Sequence, residues 1–182
     1  MKSLIFFWSI FTFSLFPSIV FSQDWSQLGE TLYGFEEGGF TGCSVGINDD
    51  GTRIAIGSHS NSIIAHETGR LQIYDLIDGA WVQVFEIFGS GTNDALGYSL
   101  DMSDDGNTVA VGIPGANSVW ILRNNDGWNH IATMNGIGSF GTRVSISGDG
   151  NTVAAGGPNT YSSGTEIPYS GIVKVFHYDG VY

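Results

Sequence analysis

Short stretches in which apolar and polar residues alternate recur along the chain, and glycine and aspartate separate them. Apolar residues at every second position indicate half-buried β-strands, because successive side chains of a strand point to opposite faces. An Asp-Gly pair between two such stretches indicates a hairpin turn. The clearest pairs are Asp50-Gly51, Asp105-Gly106 and Asp149-Gly150. Beyond residue 22 no stretch has the apolar spacing of an amphipathic helix, so the sequence predicts an all-β protein.

The three hairpins are copies of one sequence unit. Each copy places a glycine eight residues before the turn aspartate and another glycine six residues after the turn glycine. The copies are GCSVGINDDGTRIAIG at 42–57, GYSLDMSDDGNTVAVG at 97–112 and GTRVSISGDGNTVAAG at 141–156. A motif that begins with tryptophan precedes each copy (25–28, 81–84 and 128–131), and a further apolar strand follows it (71–74, 119–122 and 173–176). The sequence therefore predicts three units of four short strands, at about 25–80, 81–127 and 128–182.

One four-stranded sheet cannot bury both of its faces, so neighbouring units are expected to stack on each other. Ala55, Ala110 and Ala154 share a repeat position on a face that has room only for a small side chain. Stacking of four-stranded sheets around an axis gives a β-propeller, which usually contains about four to eight sheets. Three units are too few to close such a ring. The sequence predicts a partial propeller, most simply a truncated longer protein, with an open stack or an assembly of several copies as alternatives.

These motifs resemble the FG-GAP-like repeats of integrin-α-type β-propellers, and more closely the variants found in large secreted bacterial surface proteins. Leu96-Gly97 and Phe140-Gly141 stand where that family has Phe-Gly. Gly112-Ile113-Pro114 and Gly156-Gly157-Pro158 stand where it has Gly-Ala-Pro, whereas the first copy lacks the proline. The resemblance covers residues 24–182 and implies about three four-stranded antiparallel blades in a module for adhesion or binding.

Many FG-GAP repeats bind Ca²⁺ through an Asp-x-Asp/Asn-x-Asp-Gly-x-x-Asp loop, since this ion takes roughly six to eight oxygen ligands. Only the second copy approaches this form, with Asp101, Ser103 and Asp105, and its last carboxylate position holds a valine. The other copies lack the first ligand, because Gly46 and Ser145 occupy its position. We expect Asp- and Asn-rich hairpin turns without a metal site, and a residual Ca²⁺ site at the three residues of the second copy is the alternative.

The first 22 residues have the features of a secretory signal peptide. Met1-Lys2-Ser3 supplies a positive charge, and Leu4 to Phe21 is an apolar run without charge. Val20 and Ser22 suit the positions before a cut at Gln23. An uncleaved membrane anchor is the alternative, but a proline near the end of the run favours cleavage. We expect a secreted or cell-surface protein whose folded part spans residues 23–182.

Composition narrows the classes of function. The chain has 18 Asp and Glu against 6 Lys and Arg, which gives a net charge of −12, and it has a single cysteine. Six scattered cationic residues cannot neutralise a phosphate backbone, so nucleic-acid binding is excluded. One cysteine cannot form a disulfide scaffold. With 42 % hydrophobic residues and 27 glycines, the chain is a folded, turn-rich protein and not a disordered acidic tail.

No motif indicates catalysis or a bound cofactor or metal. His59 and His66 share a loop rich in serine and asparagine and are expected to be solvated, because their spacing fits no zinc motif. Cys43 lacks the electropositive setting that a reactive thiolate needs. The sequence contains no nucleophile elbow, phosphate loop or evident pair of catalytic carboxylates. We therefore expect no enzyme activity, no cofactor and no metal.

The connections at 58–68, 113–117 and 157–170 differ most between the units. Equivalent connections of a repeat array emerge on one face, which often binds the partner. Candidate ligand-binding residues in the two long connections are Asn61, His66, Glu67, Tyr161, Glu166 and Tyr169. Trp120 is a further candidate, because its counterparts are Gln72 and Lys174, which indicates an outward-facing ring.

The expected function is that of an exported, non-enzymatic module that binds an extracellular protein or glycan, for example in adhesion at the cell surface. Two alternatives stay open: a hydrolase or lyase on a propeller scaffold, and a structural spacer of a larger surface protein. Neighbouring propeller blades, from a longer chain or from another copy, are expected as partners. After signal-peptide cleavage we expect no contact with membranes.

Overall fold

The computed structural model describes residues 25–159 and 170–180. The prediction of an all-β protein is confirmed, with 48 % of residues in strands and 2 % in helix. Sheet 1 contains β1 (Ser44–Ile47), β2 (Arg53–Ser58), β3 (Arg70–Ile77) and β4 (Ala80–Phe88). Sheet 2 contains β5 (Ser99–Met102), β6 (Thr108–Ile113), β7 (Ser118–Asn124) and β8 (Trp128–Asn135). Sheet 3 contains β9 (Arg143–Ile146), β10 (Thr152–Gly157) and β11 (Ile172–His177).

The strands of each sheet lie side by side in chain order, and every neighbouring pair is antiparallel. The first two strands of each sheet are joined by the predicted Asp-Gly turn. Its glycine has a left-handed backbone, with φ of 72° at Gly51, which glycine adopts without steric cost. Asp78 and Gly79 join β3 to β4, and their φ values of 51° and 80° are those of a type I′ hairpin turn. One turn of 3₁₀-helix, Pro114–Ala116, follows β6.

The tryptophan motifs form the last strand of the preceding sheet. Trp81 lies in β4 opposite Leu76 of β3, and Trp128 begins β8. The sheet boundaries therefore fall one strand later than the unit boundaries drawn from the sequence. The motif at 25–28, predicted to be a strand, is not one, and Trp25 is fully exposed. The fourth strand of a sheet pairs with the third strand of the same sheet. The described residues include no sheet before sheet 1, so the segment at 25–28 has no third strand to pair with among them.

Sheet 2 lies between two apolar cores, and the same repeat positions build both of them. Leu71 of β3 lies in the core between sheets 1 and 2, and its counterpart Val119 lies in the core between sheets 2 and 3. Likewise, Ala55 lies in the core between sheets 1 and 2, and its counterpart Ala110 lies in the core between sheets 2 and 3. Val109, which neighbours Ala110 on β6, points to the other face of the strand and joins the first core. Alternate residues of one strand thus serve two different interfaces.

Glycines bring the backbones of neighbouring sheets into contact. A Cβ atom on Gly57 of β2 would overlap the carbonyl oxygen of Gly97, just before β5. A Cβ atom on Gly112 of β6 would overlap the carbonyl oxygen of Gly141, just before β9. A serine hydroxyl donates to the same oxygen in each pair, from Ser44 (2.7 Å) and from Ser99 (2.8 Å). Equivalent atoms therefore set the spacing of both pairs of sheets.

Arginines join the sheets at the opposite end of the strands, where the Asp-Gly turns lie. Arg53 pairs with Asp75 of its own sheet (Nε to Oδ1, 2.6 Å) and donates through Nη1 to Gly106 O (3.2 Å) in the turn of sheet 2. Arg123 of sheet 2 donates through Nη2 to Gly150 O (3.0 Å) in the turn of sheet 3. Arg53 lies in β2 and Arg123 in β7, so the two arginines reach equivalent turns from different strands.

The outer faces of sheets 1 and 3 expose apolar positions that are buried elsewhere. Val45 on sheet 1 is 68 % exposed, whereas its counterpart Leu100 is 8 % exposed. Val173 on sheet 3 is 75 % exposed, whereas its counterpart Leu71 is fully buried. Each outer face therefore presents the repeat positions that are buried where sheets 1 and 2 meet. Within the described residues the three sheets do not close into a ring.

Gly112→Ala should lower the free energy of unfolding by about 1–3 kcal/mol, because the new methyl group must displace the backbone at Gly141. Gly156→Ala is the matched control, since its Cβ would meet only Ile172 O among the described residues, at 3.8 Å. This control should leave the free energy of unfolding of the isolated chain nearly unchanged. Chemical denaturation followed by tryptophan fluorescence measures both values, and equal losses would contradict the proposed role of the glycine contact.

Candidate binding surface on the loop side

The longer connections between strands meet on one side of the sheets, which we name the loop side. It contains the β2–β3 connection (59–69), the β4–β5 connection (89–98) and the 3₁₀ turn after β6. Asn93 N donates to His66 O (2.9 Å), which joins the first two segments. Gly115 N donates to Asp94 O (3.0 Å), which adds the third. These backbone hydrogen bonds make one continuous surface from segments of sheets 1 and 2.

Three aromatic rings lie in contact on the loop side: Phe40 stacks on His59, and Tyr98 meets His59 edge to face; we name these three residues the aromatic cluster. The His59 ring lies between the other two, with centroid distances of 5.4 Å to Phe40 and 5.2 Å to Tyr98. Phe40 is 64 % exposed and Tyr98 is 38 % exposed, so both rings are accessible to a ligand. His59 Nδ1 is buried and has no hydrogen-bond partner among the described residues. The cluster offers flat apolar faces around one polar ring.

A recurring turn holds Phe40 in place. Its φ of 52° lies in the left-handed region, which residues other than glycine rarely adopt. Its counterparts Ala95 and Ser139 have φ values of 59° and 62°. Cys43 N donates to Phe40 O (3.1 Å) and closes the turn. The repeat thus determines the backbone at this position, and the side chain is what differs between the copies.

The segment before β1 anchors the β2–β3 connection. Both carboxylate oxygens of Glu36 accept from Ser62 N, each at 2.9 Å. Ile63 and Ile64, which follow this anchor, are exposed. Glu67 N donates to Ser62 Oγ (2.9 Å), which closes the far side of the connection. The exposed isoleucines are therefore carried by a connection that is hydrogen-bonded on both sides.

His66 and Glu67 lie on the loop side, whereas Asn61 lies inside it. His66 is exposed, and its Nδ1 is 3.0 Å from Asn93 Oδ1. Glu67 is half-buried and has a left-handed backbone, with φ of 48°. Asn61 is 3 % exposed, and its Oδ1 accepts from Ile63 N (3.3 Å). Asn61 therefore shapes the connection from within, and the two other residues border the surface.

Trp120 lies apart from this surface. Its ring is half-buried, packs against the core between sheets 1 and 2, and stacks on His130 with the centroids 4.6 Å apart. The repeat comparison predicts that this ring faces outward, but in the structure it packs against other side chains of the protein and is only partly exposed. The other three candidates, Tyr161, Glu166 and Tyr169, lie outside the described residues.

The sequence pattern points to the long connections and not to the aromatic cluster. It predicts a solvated His59, which is wrong, because the ring is half-buried between two others. A comparison of the repeats could nevertheless have pointed to the aromatic cluster. Phe40 and Tyr98 stand at repeat positions where the other copies carry smaller residues. The contact of both rings with His59 depends on the packing of sheet 2 on sheet 1, which no single repeat reveals.

The Asp-Gly turns lie on the opposite side of the sheets, named here the turn side. Asp105 Oδ1 accepts from Ser103 Oγ (2.6 Å), and Asp101 Oδ2 accepts from Ile146 N of sheet 3 (2.8 Å). The two carboxylates are thus bonded to different parts of the protein. In residues 25–159 and 170–180 no group of three or more His, Cys, Asp and Glu side chains could hold a metal ion.

Hydrogen bonds within the turns lower the pKa of three aspartates, Asp50, Asp105 and Asp149. Hydrogen bonds from the side chain and N–H of Thr52 lower the pKa of Asp50. Hydrogen bonds from the hydroxyl of Ser147 and the N–H of Asn151 lower the pKa of Asp149. Burial alone would raise the pKa of Asp105, but hydrogen bonds from Ser103 and Asn107 outweigh it. The turns therefore favour the charged form of their aspartates.

No protein-family model matches the chain, and no curated protein matches it. Among the described residues, no helix is long and apolar enough to cross a membrane.

Thermal unfolding should be the same with added Ca²⁺ as with a chelator. Asp101 and Asp105 already accept hydrogen bonds from the protein, and a cation that binds only the native state would raise the melting temperature. Asp101→Asn is an informative variant, because it should lower the melting temperature equally in both conditions through the weakened contact with Ile146. A higher melting temperature of the unmodified protein with Ca²⁺ would contradict this expectation.

Acid should destabilise the protein as the pH falls through the folded-state pKa of the turn aspartates. Because these pKa values are lowered on folding, the stabilisation is present above the unfolded-state pKa of about 4 and is lost below the folded-state value. Asp149→Ala should lower the melting temperature at neutral pH. Its melting temperature should approach that of the wild type in acid, whereas a constant difference at every pH would contradict the assignment.

Proposed function

We propose that the chain is an exported, non-enzymatic β-propeller module of FG-GAP-like repeats, which binds an extracellular protein or glycan at the cell surface through its loop side. The observation that carries the proposal is the aromatic cluster of Phe40, His59 and Tyr98. It joins sheets 1 and 2 and exposes two rings beside connections that differ between the copies. The apolar run and exit residues within 1–22 support export.

The relation between the sheets supports a propeller arrangement. On the turn side, Asp49 N donates to Asp104 O (3.0 Å), and Asp104 N donates to Gly148 O (2.9 Å). These bonds follow β1, β5 and β9, the first strands of the three sheets, and join each sheet to the next in the same way. Radial repetition of sheets requires such an identical step from one sheet to the next.

The side chains of the loop side suit recognition. The aromatic cluster and the exposed Ile63 and Ile64 supply apolar contact area, while His66 and Glu67 supply polar groups at its border. Aromatic side chains contribute most of the binding energy at many protein interfaces, and polar residues usually form the rim. A partner with apolar faces and hydrogen-bonding groups, such as a sugar chain or an exposed protein loop, matches this surface.

The binding experiment uses the chain from Gln23 to Tyr182 and immobilised probes of both classes: chitin, cellulose and agarose for glycans, and collagen for proteins. We expect retention on at least one probe. The double variant Phe40→Ala, Tyr98→Ala should bind that probe roughly tenfold more weakly, because it removes both accessible rings of the cluster. Val82→Ala, at an exposed position of β4, is the control and should bind like the wild type.

The outcomes separate the proposal from its rivals. Melting curves show first whether the double variant is folded. Failure of the unmodified protein to bind every probe, or full binding by the folded double variant, would overturn the proposed role of the loop side. Release of sugar from chitin or cellulose during the incubation would favour the hydrolase alternative, because a pure binding module leaves the probe intact.

A further inference from the structure

Five Asp-Gly pairs lie within the described range 25–159, at 50–51, 78–79, 105–106, 126–127 and 149–150. In such a pair the main-chain nitrogen of the glycine can react with the carboxyl group of the aspartate, because glycine has no side chain to block the approach. We propose that Asp78-Gly79 is a site of spontaneous isomerisation, at which the main chain becomes linked through the aspartate side chain. The other four pairs are held by hydrogen bonds that the reaction must break. This inference does not depend on the proposed function.

The reaction needs no enzyme and no oxidant or reductant. Gly79 N attacks Cγ of the protonated Asp78 carboxyl group, so that the N–Cγ bond forms, the Cγ–OH bond breaks, and the hydroxyl group and the amide proton leave as water. The product is a five-membered succinimide ring. Water then adds to one of the two ring carbonyl carbons. Cleavage of the N–Cγ bond restores aspartate, and cleavage of the original peptide bond gives isoaspartate, so the net change neither adds nor removes an atom.

The turns that join the first two strands of each sheet engage both reacting groups. In sheet 1, Gly51 N donates to Asn48 O (3.1 Å), and Asp50 Oδ1 accepts from Thr52 N (2.9 Å). The equivalent glycines of sheets 2 and 3 donate in the same way, at 2.9 and 2.8 Å, and their aspartates accept equivalent bonds at 2.9 and 3.0 Å. The lowered pKa of these aspartates favours the carboxylate, which reacts poorly because it has no hydroxyl group to lose.

The Asp126-Gly127 turn between β7 and β8 engages the nucleophile. Both residues are exposed, as Asp78 and Gly79 are, so exposure does not distinguish the two turns. Gly127 N, however, donates to the side chain of Asn124 (Oδ1, 3.0 Å). The nitrogen must give up this bond before it can turn toward the aspartate carboxyl group.

The Asp78-Gly79 turn leaves both reacting groups free. Among the described residues, neither the Asp78 carboxylate nor the Gly79 N–H has a hydrogen-bond partner. A Cβ atom on Gly79 would meet no described atom within 4 Å, so there is open space around the nitrogen for the ring to form. The turn contains only these two residues, because Ile77 of β3 lies opposite Ala80 of β4. It is therefore the pair at which the reaction breaks no existing contact of either group.

The isomerised turn would act on sheet 1 at the turn side. Leu76 N donates to Thr52 O (2.8 Å), which places this end of β3 beside the first Asp-Gly turn. Isoaspartate adds one atom to the main chain between β3 and β4, so the pairing of Ile77 with Ala80 should loosen. The loop side lies at the other end of these strands, and retention on the binding probes should therefore be unchanged. Isomerisation and the proposed ligand binding can thus fail independently.

The first test follows all five pairs in one sample. The chain from Gln23 to Tyr182 is incubated in its folded form at mildly acidic pH, digested, and mapped by liquid chromatography with mass spectrometry, which separates isoaspartyl from aspartyl peptides of equal mass. Isoaspartate should accumulate at Asp78 at least about fivefold faster than at the other four pairs, because breaking their hydrogen bonds costs free energy. In urea the five rates should become similar. A faster reaction at another pair, or the same preference for Asp78 in urea, would overturn the proposal.

Asp78→Asn and Asp126→Asn are matched variants, since each places Asn-Gly in an exposed turn. Asparagine tolerates the left-handed backbone at both positions, where φ is 51° and 60°. Asn-Gly forms the same ring with loss of ammonia, and hydrolysis gives a heavier chain that a mass spectrum detects. Asp78→Asn should deamidate at least about fivefold faster, because only Asp126→Asn keeps a hydrogen bond at the glycine N–H. Equal rates in the folded variants would overturn the proposal.

Asn124→Ala tests the protective hydrogen bond directly, because it removes the acceptor of Gly127 N. Isomerisation at Asp126 should become about fivefold faster, while the rate at Asp78 stays the same. The main chain of residue 124 keeps its hydrogen bond to Asn107 O (2.9 Å), and melting curves show whether the variant is folded. A folded variant in which Asp126 reacts no faster than in the wild type would overturn the assignment of reactivity to the free glycine N–H.

Discussion

The spacing of the sheets depends on one contact, the approach of a glycine in the second strand to the backbone carbonyl that precedes the next sheet. Gly57 meets Gly97, and Gly112 meets Gly141, with no room for a side chain between them. Ala55, two residues before Gly57 on the same strand, is a small residue of the core between sheets 1 and 2. The cores, the serine hydrogen bonds and the arginine contacts on the turn side all require this distance.

Much of the fold can be predicted because the governing interactions are local. Alternation of apolar residues and the Asp-Gly turns depend on near neighbours in the chain, so strands and hairpins were predictable from the pattern alone. The strand predicted at 25–28 is wrong because a fourth strand needs a third strand beside it. A motif shows what a segment can pair with, but the pairing depends on residues far away in the sequence.

The candidate site was harder to predict for the same physical reason. His59 directly follows β2 of sheet 1 and Tyr98 directly precedes β5 of sheet 2, so their edge-to-face contact follows from the packing of one sheet on the next. Asn61 is a polar residue in a loop of the type that often binds ligands, but its side-chain oxygen accepts a hydrogen bond from Ile63 N and stabilises the connection. Trp120 differs from its counterparts in the other copies, yet its ring packs within the protein. A side chain that differs between the copies can thus serve either packing or binding, and burial separates the two.

The chain-order arrangement of strands has a consequence for how the protein acquires its structure. Each of sheets 1 and 2 is a meander, in which every strand pairs with the strand that follows it. Pairing neighbours in the chain closes shorter loops than pairing distant strands would, so each pairing costs less loop-closure entropy. During synthesis, each sheet can form soon after its last strand leaves the ribosome, and the next sheet then grows on its exposed face. The segment at 25–28 is the exception, since it leaves the ribosome before these three sheets but pairs with no strand of them.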